Sequence, residues 1–230
     1  VAAVLFFVTA IAVRSASAED VAIGKGAHSY KEVKLEDLQA KPGRYLNMYV
    51  QFECKFFQSG SFYKETQTGL LDVLHQNFIA WPPSARVWVP QDRSGLACLT
   101  LYIFRTASSF RTFTKLDKYE RVILYGQVKS DLGGAPWVEV RAVEKASGPN
   151  IDEEFISSIY HGWQQLNEGR YSQALNRFLK IWRHNVPRME KGELARYIGE
   201  CYYALGNYRQ AVRYFKRAVE LNPGSSDLVA

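Results

Sequence analysis

The chain has 230 residues, 47% hydrophobic and 14% aromatic, enough apolar side chain for folded cores and too much for wholesale disorder. Its formal net charge is +6, but the excess is spread: residues 19–150 carry 17 basic and 14 acidic side chains, residues 151–230 carry 11 and 9. That even distribution disfavours a dedicated nucleic-acid binder, which concentrates its cations.

Val1 to Val13 is a nearly unbroken apolar run, too short to span a bilayer, followed by Arg14 and then Ala16-Ser17-Ala18. The small-x-small pattern predicts a signal peptide over residues 1–18, cleaved after Ala18, and hence an exported protein, periplasmic or extracellular. The alternative is an uncleaved anchor, the one case in which membrane association is expected. Residues 19–33 read as a flexible lead-in. Because the chain starts on Val, it reads as a piece of a longer protein, with more residues expected after Ala230.

Lys34 to Leu38 reads as a brief helical turn stopped by Pro42-Gly43. Five strands follow. Tyr45 to Phe57 alternates and is rich in aromatics; another strand lies between Thr68 and Trp81; Leu96 to Thr106 is the third. On that third strand, alternation assigns Ala97, Leu99, Leu101 and Ile103 to one face and Cys98, Thr100, Tyr102 and Phe104 to the other. Arg121 to Lys129 and Trp137 to Val143 form a hairpin around Asp131 to Gly134, and a short helix is expected between Phe110 and Lys118. The stretch Gln76 to Asp92 holds Phe78, Trp81 and Trp88 around Pro82-Pro83. A proline-interrupted run is not expected to be a central strand. It is either a binding loop or, preferably, an aromatic lid over one end of the sheet domain.

Five strands with a helix between the third and fourth describe an all-β Greek-key barrel over residues 34–146. Leu35-x-x-Leu38, Pro42-Gly43-Arg44-Tyr45, Val50-x-Phe52 and Val122 to Val128 resemble bacterial OB-fold domains, loosely, since that family shares a pattern more than a motif; an SH3-like barrel is the alternative. The resemblance implies a ligand face, with Tyr102, Phe104, Trp81 and Trp88 as candidate stacking residues. Lys55, Arg105 and Lys129 would be the accompanying cations for single-stranded nucleic acid or another small polar ligand. Export disfavours nucleic acid.

Ser147-Gly148-Pro149 marks a linker, 147–154, in which Asn150 and Glu153 look like a helix N-cap pair. Beyond it the chain repeats itself. Gly169-Arg170-Tyr171-Ser172-Gln173-Ala174-Leu175 recurs as Gly206-Asn207-Tyr208-Arg209-Gln210-Ala211-Val212, Phe178 as Phe215 and Gly162 as Gly199, always 37 residues apart. Such a period signals stacked supersecondary units. Ile198-Gly199-x-x-Tyr202, Ala211-x-x-x-Phe215-x-x-Ala218 and Pro223 resemble the tetratricopeptide repeat family, which implies two all-α helical hairpins over residues 155–223. The first unit departs from the pattern at His161, Gln165 and Ile181. Residues 224–230 are a tail or the start of a further helix. The resemblance implies a protein or peptide partner on the first helix of each unit: Ile159, Trp163, Leu166 and Asn167, then Arg196, Glu200 and Tyr203. Arg209, Arg213, Lys216 and Arg217 share a face of the last helix, either a solvated surface or one that meets an anionic lipid or acidic partner.

No catalytic signature surrounds His28, His75, His161 or His184, and no phosphate loop, acidic calcium loop or Cys-x-x-Cys pair is present. The reading is therefore non-catalytic, without cofactor or metal: an exported adaptor, or alternatively an accessory subunit of a cell-envelope assembly. Cys54 and Cys98 either pair in an oxidising compartment or stay as buried thiols, which their apolar strands favour.

Overall fold

The computed structural model describes residues 25–60, 62–63 and 69–223. The expected signal peptide and the tail 224–230 lie outside the described residues. The chain forms an N-terminal β-sheet region followed by helical hairpins. The sheet has six strands: β1 Lys31–Glu32, β2 Tyr49–Gly60, β3 His75–Trp81, β4 Cys98–Phe104, β5 Arg121–Ser130 and β6 Trp137–Lys145. Short helices α1 Leu35–Ala40, α2 Pro90–Gly95 and α3 Phe110–Phe113 lie among them.

The long strands pair in the order β2, β3, β4, β6, β5, and β2 also pairs β5, so the sheet closes into a ring. All ring pairings are antiparallel except β4 with β6. Closure follows from the length of β2: Tyr49 to Lys55 pairs β5, while Lys55 to Gly60 pairs β3. Inside lie Val50, Phe52, Phe56, Phe78, Leu124 and Val140, sealed by Leu35 and Leu38 of α1 and Phe113 of α3. Gly126 is required where β5 crosses β6: a Cβ there would sit 2.7 Å from the Glu139 carbonyl oxygen.

Several local expectations need correction. Residues 25–33 lie against the sheet rather than free of it: β1 pairs β2 in parallel, His28 stacks on Tyr49 at 3.9 Å, and Lys25 reaches Glu144 at 3.3 Å. Asn77 to Trp81 belongs to β3, a strand bonded on both sides. The prolines start only at residue 82, so every N–H the ladder needs is present before them. In β4 strict alternation fails, because the ladder shifts opposite Phe78 and Ala80. Cys98, Leu101 and Ile103 take the core, whereas Leu99 is exposed. The cap of the first hairpin helix is Asp152, whose carboxylate accepts the Phe155 N–H at 2.7 Å; the Asn150 side chain instead accepts the Arg121 N–H at 3.0 Å, tying the linker to β5.

The hairpins are α4 Glu153–Asn167 with α5 Tyr171–Ile181, and α6 Arg188–Ala204 with α7 Tyr208–Leu221. Each turn carries a glycine at positive φ, Gly169 at 74° and Gly206 at 76°. Within each hairpin a glycine lies under a phenylalanine: a Cβ on Gly162 would sit 2.4 Å from Phe178, and one on Gly199 2.8 Å from Phe215. These two contacts explain the 37-residue spacing physically. A residue without a side chain leaves room for the ring between the helices where the chain places it.

Candidate partner-binding surface

One core joins sheet and hairpins. The end of β3 and the segment after it carry Trp81, Ala85, Val87, Trp88 and Val89 into the same cluster as Phe155, Ile159, Phe178 and Tyr197. The Trp88 Nε1–H donates to the Tyr197 hydroxyl at 3.2 Å, and the indole stands edge-on to Phe155. Trp81 donates to the Arg93 carbonyl at 2.8 Å and stacks on Tyr119. The segment is thus neither an open binding loop nor a lid over the ring. It is a wedge between the two regions, in which Val87, Trp88 and Val89 are buried in one cluster with the hairpin side chains.

Below the wedge, Lys55 of β2 reaches out of the sheet. Its ammonium lies 2.6 Å from Glu190 Oε1 of α6 and donates to the Ala85 carbonyl at 3.0 Å. Both side chains are 1% exposed. The Glu190 contact is an ion pair off the line of a well-formed hydrogen bond, since Oε1 has no aligned donor. A pair so enclosed fixes where the helices sit on the sheet more than it adds stability. Lys55 is therefore unavailable to a phosphate, and Trp81 and Trp88 are unavailable to stack on a base. The other two candidates on the sheet lie elsewhere: Tyr102 is buried and Phe104 half-buried, both beside His75.

The hairpin candidates fall into two sets. On α6, Arg196 is held between Glu193, at 2.9 Å, and Glu200, and its guanidinium lies 4.4 Å from the Tyr197 ring centre. Burial alone would lower the Arg196 pKa; the two carboxylates overcome this and raise it. Burial raises the Glu200 pKa, against the pull of Arg196. One turn on, Tyr203 is 62% exposed, its ring edge against Tyr208. On α4, Trp163 is half-buried and stacked near Tyr160, and Asn167 is exposed; Leu166 is half-buried and Ile159 is wholly buried, so Ile159 cannot meet a partner. Among the described residues no hydrogen bond or ring contact joins the α4 set to the α6 set.

Sequence reasoning missed Arg86. It comes from the wedge, pairs Asp92 at 2.8 Å and comes within 4.0 Å of Glu193. The wedge therefore walls one end of the α6 charge cluster and leaves the end bearing Glu200 and Tyr203 open. The unbroken apolar run Val87-Trp88-Val89 was the available signal that this segment is packed against something.

Against known families, residues 196–225 match the tetratricopeptide repeat. A search of curated proteins finds no match. The matched stretch begins at Arg196 and takes in Glu200 and Tyr203, and such a repeat implies protein partners in general.

Proposed function

We propose that the chain is a non-catalytic, exported adaptor that binds a protein or peptide partner at the open end of the α4–α6 surface. The observation that carries this reading is Tyr203. It is a large, exposed aromatic one turn from the Arg196–Glu200 pair, inside the matched repeat. Tyr, Trp and Arg are the residue types that dominate interface energetics. Trp163 and Asn167 on α4, the positions that the repeat resemblance implies, are read as a second part of the partner surface.

The sheet region is read as an OB-type barrel that holds the hairpins. Supporting this are the ring order, the parallel β4–β6 pair and α3 between β4 and β5. A nucleic-acid role for that barrel draws no support from Lys55, Trp81 or Trp88, all of which are enclosed. Burial raises the pKa of Cys54, Cys98 and Cys201, so none is poised as a thiolate nucleophile near neutral pH. Export rests on the apolar run and Ala16-Ser17-Ala18. The uncovered apolar positions Val212 and Val219 of α7 favour one further reading, a permanent subunit of an envelope assembly.

The test is affinity purification of the full-length chain from its native envelope, beside W163A/Y203A and the charge variant R111E/K115E on the sheet region. A protein retained by the wild type and R111E/K115E but lost with W163A/Y203A, at unchanged circular dichroism, supports the surface. Equal capture by all three removes it. The mature N-terminus should be Glu19, read by mass spectrometry of the same material; retention of Val1 to Ala18 would favour the anchored form.

A further inference from the structure

Between residues 176 and 223 the chain has ten Lys and Arg against four Asp and Glu. The four acids are not shared evenly. Glu190 is taken by Lys55, and Glu193 and Glu200 are taken by Arg196. Only Glu220 remains to face the cations of α7, and it pairs Arg217 at 3.0 Å.

These cations surround an open cavity of about 430 Å³ where the end of α5 meets α7. Its floor is Trp182, set edge-on to Tyr214 with ring centres 5.5 Å apart. Its rim is Arg213, Lys216 and Arg217, with Glu220 at one side. Arg213 and Lys216 have no ion-pair partner among the described residues. Lys191 lies outside this lining but beside the same indole, its ammonium 4.7 Å from the Trp182 ring centre and donating to the His184 carbonyl at 2.9 Å. Burial lowers the Lys191 pKa and the charge of Arg217 lowers it further, as expected where cations crowd without counter-charge.

We propose that this cavity binds a phosphate group, the chemistry shared by an anionic phospholipid headgroup and a free phosphate compound. Three cationic side chains on one rim suit the dispersed charge of phosphate oxygens. The indole floor suits the apolar stem that a headgroup or organic phosphate carries. The site shares no residue with the Arg196–Tyr203 surface, so it stands or falls independently of the adaptor reading.

The experiment uses the full chain with two kinds of vesicle, phosphatidylcholine alone and phosphatidylcholine doped with phosphatidylglycerol, and with inorganic pyrophosphate as the soluble probe. Each cation at an anionic surface contributes about fivefold in affinity. R213E/K216E should therefore weaken binding to doped vesicles by roughly 25-fold or more, while R111E/K115E changes it by less than about twofold. The N-terminal apolar run is common to all variants and cancels. Doped-vesicle binding that is lost only in R213E/K216E assigns the headgroup. Pyrophosphate binding with the same variant dependence, without vesicle binding, assigns a free phosphate compound. No binding to either probe, or equal loss in the two variants, overturns the proposal.

Discussion

The two hairpins share a backbone plan and differ in how much of it is covered. Phe178 of the first is fully buried; its counterpart Phe215 in the second is half-exposed. Leu175 is 9% exposed and its counterpart Val212 is 53% exposed. Yet the second hairpin, not the first, is the one that matches the repeat family. Both hairpins possess the glycine-under-phenylalanine contact, so that contact alone does not make the match. Burial of the outer face depends on what is stacked there. The first hairpin has α6 on one side and the Trp88 wedge on the other. It tolerates departures such as Ile181, which is buried, because those neighbours supply the packing that the motif would otherwise specify.

The largest expected effect tests that asymmetry directly. Phe178→Ala removes a wholly enclosed ring and should destabilise the protein by about 3–5 kcal/mol. Phe215→Ala, at a half-solvated site, should cost roughly 1–2 kcal/mol by the same reasoning. Urea midpoints of the two variants measure the difference. Equal losses would mean that the second hairpin is covered as fully as the first.

The wedge is the next point of attack. Glu190→Ala leaves the Lys55 ammonium enclosed with only the Ala85 carbonyl, and should cost about 3 kcal/mol. The double replacement K55M/E190L should recover most of that, because a well-packed apolar pair replaces a desolvated ion pair with little loss. If the single variant unfolds at the wild-type midpoint, the pair is not holding hairpins to sheet.

These two positions also mark where sequence reasoning stops. The five long strands were legible because alternation and turn residues are local signals, and the hairpins because a 37-residue repeat is visible without any structure. The faces of β4 were not, since a ladder irregularity opposite Ala80 changes which side chains point inward and leaves no trace in the pattern. The partners of Lys55 and Trp88 were not legible either. A lysine in an alternating strand reads as solvent-facing, and nothing local says that a glutamate 135 positions later will enclose it. Of the candidate surface, Arg196, Glu200 and Tyr203 were found through the repeat, whereas Arg86 lies outside it.

A smaller contrast separates the two glycines. Gly162→Ala places a Cβ against an enclosed ring with nowhere to go and should cost about 1–3 kcal/mol. At Gly199 the Phe215 ring can swing toward solvent. There the gain of about 1 kcal/mol in helix propensity offsets the crowding, so Gly199→Ala should be near neutral. Thermal unfolding of the pair reads the sign, and a larger loss at Gly199 would reverse the order of packing inferred here.

The last effect is a pH dependence confined to the second hairpin. Cys201 is buried, and its pKa is pushed from an ordinary 9 up to about 12, by burial first and the Glu200 charge second. The corresponding residue of the first hairpin, Gln164, does not titrate. Because the folded state keeps the thiol proton where the unfolded chain releases it, the contribution is fully present below pH 9. It is lost as pH rises toward 12. Cys54 and Cys98 are common to wild type and Cys201→Ala and cancel in the comparison. The stability gap between those two proteins, from urea unfolding, should therefore be widest at about pH 8 and narrower at about pH 10.5. A gap that stays constant would mean that Cys201 meets solvent, and that α6 is less tightly enclosed in the second hairpin than the burial of Ile198 and Gly199 implies.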